Sequence, residues 1–226
     1  MALDDIPDDG GAPRREPFFN IPWPVMTLLG VLLAAFFVQT RFGVEPMNQS
    51  FGFRPTDLGE GRYDTVVTSL FLHGGWPHVL MNCGFLVAFG TPVSRRFGLD
   101  LRGVAGFFVF YMLCGVVANL GYAGLNLGSP APVIGASGAV SGLMGAGSRL
   151  LWRDGDLAPF RSQPVVGLAT AWVLINVVFG VILKGWAPGS GGAPIAWQVH
   201  LAGFAVGLLL LSPALRLLGR RYPITA

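Results

Sequence analysis

Charge is scarce in this chain. Asp, Glu, Lys and Arg make up only 12% of its 226 residues, against about 25% in soluble domains. A shortfall of this size, with long uncharged runs, excludes an ordinary water-soluble globule and points to the bilayer. Cysteine is also rare. Cys83 and Cys114 are the only two, and both fall inside apolar runs. Thiols so placed form no disulfide framework and read as small packing hydrophobes. Cys, His and carboxylates show no metal-ligand spacing, so neither a metal nor any other cofactor is expected. The first residues lack the basic start and apolar core of a secretory signal. Residues 1–19, rich in Asp, Gly, Pro and Arg, read as a disordered cytosolic tail.

What is there is mostly apolar: 52% of residues are hydrophobic and the mean hydropathy is +0.58. A membrane helix needs about 20 such residues. Residues 20–40 give one span and residues 68–90 a second. No residue between Arg102 and Arg149 is charged. That stretch is too long for one helix and divides at residues 121–132, rich in Gly, Asn, Ser and Pro, into spans three and four. Residues 162–183 and 196–218 give spans five and six. The expected fold is therefore all-α: a polytopic bundle of six transmembrane helices over residues 20–218, with a short cytosolic tail at 219–226.

The basic residues orient this bundle. Arg14, Arg15, Arg95, Arg96, Arg102, Arg149, Arg153, Arg161, Arg216, Arg220 and Arg221 fall on the side of the termini, and Arg41, Arg54, Arg62 and Lys184 opposite. The positive-inside rule places both termini in the cytosol. It also makes these arginines topology signals, with no nucleic acid expected as a partner. The longest outer loop, residues 41–64, reads as a structured loop at the membrane surface.

All twelve carboxylates lie outside the spans. Polar groups inside a membrane are functional candidates, and few are present: His73, His78 and Asn82 in span two, Ser137 and Ser141 in span four, Gln198 and His200 in span six. Depth follows from counting back from the inner arginines at about 1.5 Å per residue. Ser137 and His200 each lie roughly 24 Å above Arg153 and Arg216, and His78 roughly 26 Å above Arg95. Three helices bring Ser, His and His to one level. Span four is short, fifteen residues from Ser137 to Leu151, so it begins inside the membrane. Irregular backbone at that depth requires burial in protein or a water-lined cavity, and a cavity open to the outer face with Ser137 at its floor is expected. Gly138 and Gly142, like Gly203 and Gly207, are four apart. Such small faces let helices approach closely, which would bring span six and His200 to Ser137. His73 reads as structural, Gln198 as interfacial, and Trp76 and Trp197 as parts of the aromatic belt.

Three motifs carry a resemblance. Leu72-His73-Gly74-Gly75-Trp76-Pro77-His78-Val79-Leu80-Met81-Asn82 resembles the H-x-x-x-N segment of the rhomboid intramembrane proteases. Gly135-Ala136-Ser137-Gly138 resembles their nucleophile motif, and His200-Leu201-Ala202-Gly203-Phe204-Ala205-Val206-Gly207 their histidine–glycine motif. The resemblance implies hydrolysis of a peptide bond in or near the transmembrane helix of a single-span substrate. It makes Ser137 the nucleophile and His200 the base of a dyad. The N–H of Ser137 and the side chains of His78 and Asn82 would form the oxyanion hole, and Gly135 and Gly138 would allow the tight backbone at the nucleophile. It also implies contact with membrane lipid and a place in a bacterial inner membrane.

There are two departures from the family pattern. Asp64-Thr65 stands where many members have Trp-Arg, and Ser141 where some have a Tyr that packs on the base. Either Ser141 orients His200 or another residue packs there. Two rival functions remain: a rhomboid-like protein that binds transmembrane helices without cutting, and a small transporter. The retained Ser and His argue against the first. The apolar inner halves of spans four and six, residues 143–150 and 204–211, argue against the second. The chain near span five and the loop at residues 187–194 are the expected movable parts.

Overall fold

The computed structural model describes residues 20–151, 156–186, 192 and 194–220. Among these residues the regular structure is helical, apart from one isolated antiparallel bridge between Phe53 and Val133. The tail at 1–19, most of the loop at 187–194, residues 221–226, and Arg14, Arg15, Arg153 and Arg221 of the charge argument lie outside the described residues.

Helix α1 (Trp23–Phe42) carries Pro24 in its first turn, where a missing N–H costs nothing. Gly43, at φ 95°, ends it. The outer loop that follows is built of α2 (Val44–Phe51), a 3₁₀ turn at Pro55–Leu58, α3 (Thr65–Thr68) and a second 3₁₀ turn at Ser69–Phe71. Buried polar groups hold it together. Gln39 Nε2 donates to Asn48 Oδ1 (2.6 Å) and to the His73 carbonyl (2.9 Å), and Gln39 Oε1 accepts the His73 N–H (3.0 Å). Asp57 Oδ2 accepts the Arg54 N–H at 2.9 Å. At the position that departs from the family pattern, Thr65 is buried and its hydroxyl donates to the Arg62 carbonyl at 2.8 Å.

The second predicted span begins later than expected, at Trp76 instead of residue 68. Gly75 is fully extended, and Pro77 sits in the first turn, where it starts a helix well. From there α4 (Trp76–Phe85), a π turn (Leu86–Gly90) and α5 (Thr91–Phe97) run end to end. Pro92 explains the π turn: it has no N–H for the carbonyl four residues back and its ring crowds that carbonyl, so the ladder widens there.

Helix α6 (Leu101–Leu125) is capped by Asp100, whose carboxylate accepts the Gly103 N–H at 3.1 Å. That bond first, and then the Arg220 guanidinium, hold the Asp100 carboxyl below the usual carboxylate range. Residues 126–136 are mostly irregular, as the Gly/Asn/Ser/Pro content predicted. Helix α7 (Ser137–Ser148) follows, then α8 (Gln163–Val177) with a π turn at Val178–Ile182, and α9 (Trp197–Leu217).

Four of these helical stretches, Trp23–Phe42, Leu101–Leu125, Gln163–Ile182 and Trp197–Leu217, are long and apolar enough to cross a membrane. The other two predicted spans correspond to the α4–α5 run and to α7, which has only 12 residues. Helix α7 is the centre of the molecule, with every residue from Gly138 to Ser148 buried. Its Ala139, Leu143 and Ala146 join the main core with Phe107, Tyr111 and Cys114 of α6 and with Leu211 and Leu215 of α9. Both cysteines are buried and unpaired. At the far end of α7, Arg149 donates from Nε to the Ala158 carbonyl (3.0 Å) and from Nη1 to Ser212 Oγ (2.5 Å).

Candidate active site

The small-residue stripes let α7 and α9 touch backbone to backbone. A Cβ on Gly203 would collide with the Gly138 carbonyl oxygen, and one on Gly207 with that of Gly142. At that separation His200, one turn before Gly203, reaches the first residue of α7. His200 Nε2 lies 2.8 Å from Ser137 Oγ.

The chain delivers Ser137 through three backbone hydrogen bonds. Phe53 and Val133 exchange N–H to carbonyl bonds of 3.0 and 2.7 Å, and the Gly135 N–H donates to the Ser69 carbonyl at 2.9 Å. The irregular segment is thereby pinned to the outer loop. Gly135 then turns at φ 116°, a left-handed conformation suited to glycine. As the first residue of α7, Ser137 has an N–H with no acceptor inside the helix, and the helix end favours negative charge.

His78 and Asn82, one turn apart on α4, face this corner. A Cβ added to Gly135 would stand 2.9 Å from His78 Nε2 and 3.7 Å from Asn82 Nδ2. The Gly74 N–H donates to His78 Nδ1 at 3.3 Å, so Nδ1 is the acceptor and Nε2 carries the proton. Asn82 is 4% exposed, and its Nδ2 has no hydrogen-bond partner among the described residues. A buried amide N–H left open is costly. Here it lies in the same corner as the His78 Nε2–H and the free N–H of Ser137. Ser137, His78 and His200 are half-buried, whereas the rest of α7 is closed.

The remaining residues singled out in the sequence do not join this cluster. His73 is fully buried, edge-on to Phe36 (6.3 Å between ring centres) and to His78 (5.0 Å). It backs the His78 ring. Trp76 is about half exposed and packs edge-on to Phe36 at 5.0 Å, while Trp197 and Gln198 are half-buried at the start of α9. Ser141 does not orient His200. Both ring nitrogens of the histidine are taken, Nε2 by Ser137 and Nδ1 by Asn176 Oδ1 at 2.8 Å.

Asn176 was not among the sequence candidates. Its signal is present: it is the only amide side chain in the apolar stretch 165–183, and an isolated polar group at membrane depth is a functional candidate. The ring of Trp172, one turn earlier on α8, lies 5.8 Å from that of His200 at 37°.

The model of the rhomboid domain matches residues 60–216. This chain is 34% identical over 141 residues to Rhomboid-like protein 11, chloroplastic, of Arabidopsis thaliana, covering 62% of this chain and 45% of that protein. It is 33% identical over 131 residues to RHOMBOID-like protein 12, mitochondrial, of the same plant, covering 52% and 39% respectively. A third relative, "Putative rhomboid protease YdcA" of Bacillus subtilis (strain 168), is 26% identical over 220 residues, 92% of this chain and 98% of that protein. The chain thus spans less than half the length of the two plant relatives.

Proposed function

The chain belongs to the rhomboid family, and on that premise we propose that it is an intramembrane serine endopeptidase that uses Ser137 and His200 as a catalytic dyad. One observation carries the reading: Ser137 Oγ is 2.8 Å from His200 Nε2 at a helix N-terminus that faces two further donors. Ser137 attacks the scissile carbonyl carbon while its proton passes to Nε2. Negative charge develops on the carbonyl oxygen, where the Ser137 N–H, His78 Nε2–H and Asn82 Nδ2–H are aimed. Collapse breaks the C–N bond, and His200 returns the proton to the leaving amine. Water then attacks the acyl-serine by the same route, releasing the second product and the free serine.

The membrane arrangement follows from the same reading. The α4–α5 run and α7 complete six crossings, with both termini in the cytosol and the site opening to the outer face of a bacterial inner membrane. Substrates are single-span membrane proteins, whose helices must unwind before a carbonyl can reach Ser137, and the surrounding lipid is the other partner.

The test is cleavage of a model single-span substrate by purified protein in liposomes, with Ser137→Ala and His200→Ala beside wild type. Cutting by wild type alone supports the dyad. Cutting that survives Ser137→Ala sinks the mechanism. A folded wild type that binds substrate helices and cuts none across a substrate panel favours the non-cleaving rhomboid-like reading.

A further inference from the structure

We propose that Asn176 is a positioning residue that fixes His200 in the tautomer a general base needs, extending the dyad to Ser137–His200–Asn176. The proposal rests on the protease reading above for its catalytic consequence, while its structural content is independent of turnover.

The direction of the Asn176 amide is set by its own helix. Nδ2 donates to the Trp172 carbonyl at 2.8 Å, the carbonyl one turn back on α8. Flipping the amide would set Oδ1 against that carbonyl, acceptor against acceptor. Oδ1 therefore faces His200 Nδ1, also at 2.8 Å. An amide oxygen only accepts, so Nδ1 must carry the proton. Nε2 is then the lone-pair nitrogen, and Ser137 Oγ–H donates to it across 2.8 Å. One backbone carbonyl on α8 thus selects, through the Asn176 side chain, the base form of the histidine.

The placement has a structural cause. Gly180, one turn after Asn176, lies so close to α9 that an added Cβ would stand 2.7 Å from the Cβ of Trp197. Asn176 and Gly180 are four apart on one helix, and Trp197 and His200 three apart on the other. Each pair spans one turn, so the Gly180–Trp197 contact sets Asn176 level with His200. Gly180 itself lies in the π turn Val178–Ile182, and such turns often occur at functional positions. Trp172 limits the ring from the same helix, 5.8 Å between ring centres. The other titratable group facing the site is His78 of α4; no carboxylate hydrogen-bonds to His200 among the described residues.

A neutral amide orients the imidazole but supplies no counter-charge when it becomes imidazolium. Asn176→Asp would supply that counter-charge but lose the Nδ2–H bond to the Trp172 carbonyl.

The experiment combines nitrogen NMR with kinetics. The chain has only three histidines, so histidine ring ¹⁵N signals in detergent are few and can be assigned by removing His73 and His200 in turn. Wild type is expected to show His200 with the proton on Nδ1. Asn176→Ala is expected to lose that preference and to lower kcat about 10- to 100-fold with little change in KM, the loss of an oriented proton acceptor. Asn176→Asp is expected to recover part of kcat and to move the acid limb of the pH profile upward. A wild-type His200 protonated on Nε2 overturns the proposal whatever the variants do. So does an Asn176→Ala protein with unchanged tautomer and unchanged kcat. Because the tautomer is read without turnover, absence of cleavage by wild type counts against the protease reading alone.

Discussion

Gly207 of α9 lies against the carbonyl oxygen of Gly142 in α7, with no room for a Cβ between them. Gly203 meets Gly138 in the same way one turn earlier. These contacts set the distance between the helices that carry Ser137 and His200. Gly207→Ala forces α7 and α9 apart or strains both, at a cost of about 1–3 kcal/mol for overpacking. The melting midpoint in detergent is expected to fall by several degrees, with cleavage lost alongside it. Apart from its chain neighbours and its own helix backbone, nothing lies within 4 Å of where a Cβ on Gly30 of α1 would be, so Gly30→Ala is expected to hold or raise the midpoint, because Ala favours helix by about 1 kcal/mol. Equal midpoints for the two variants contradict the close-contact account.

In the proposed mechanism, removing an oxyanion donor leaves the Ser137–His200 pair in place. His78→Ala or Asn82→Ala is expected to lower kcat about 100- to 1,000-fold, with KM changed far less. Asn82→Leu sharpens the test, since it fills similar volume without a donor and relieves a buried unpaired Nδ2. Its thermal stability should equal or exceed wild type while its cleavage collapses. A stable, fully active Asn82→Leu protein excludes the residue from the hole.

Gly135 gives a third case. It sits at φ 116°, and its missing Cβ leaves the space in front of His78 Nε2 open. Gly135→Ala strains the backbone two residues before Ser137 and crowds His78 Nε2. Cleavage is expected to fall at least as far as in His78→Ala, while Gly124→Ala, in the open at the end of α6, keeps wild-type activity. Comparable activity in the two alanine variants would show that this turn does not need glycine.

Much of this was readable in advance, for identifiable reasons. Long uncharged runs marked the helices, and polar residues within them marked Ser137, His78, Asn82 and His200, because hydrocarbon penalises them. The G-x-x-x-G spacing marked the α7–α9 contact. Hydropathy does not read backbone geometry, so it started the second span before Gly75 and gave no sign of the π turns after Phe85 and Val177. Asn176 escaped because the motif offers only Ser141, four residues after Ser137, as a partner for His200. The partner is an amide on another helix, and nothing in local spacing links α8 to α9. Gln39, Asn119 and Arg149 are similar: each bonds across a sequence separation that no motif records.

Acid should weaken one surface contact selectively. Gly103 N–H and Arg220 favour the ionised form of Asp100 in the folded state. A lowered folded pKa stabilises above the unfolded value, about 3.9 for Asp, and that advantage fades as pH falls through the folded value. Asp100→Asn keeps a capping oxygen and loses only the charge. At pH 7 its melting midpoint is expected below that of wild type, and the gap should close as pH falls below about 3.9. A gap that persists or widens in acid reverses the sign and removes the carboxylate from the account.

Asn119 separates the positioning of Ser137 from that of His200. It is buried in α6, and its Nδ2 donates to the Val66 carbonyl (2.9 Å) and to Ser69 Oγ (3.0 Å). The carbonyl of that same Ser69 accepts the Gly135 N–H, two residues before Ser137. Asn119→Ala removes both bonds and leaves a buried carbonyl and hydroxyl short of a donor, at about 1–3 kcal/mol. The segment that presents Ser137 then loses its anchor, and kcat is expected to fall about tenfold, the range of a small misplacement of a reacting group. His200 is untouched, so its tautomer and the shape of the pH profile should match wild type, unlike Asn176→Ala. A changed His200 tautomer in Asn119→Ala would mean that the two networks are one, and that the outer loop and α8 act on the histidine together.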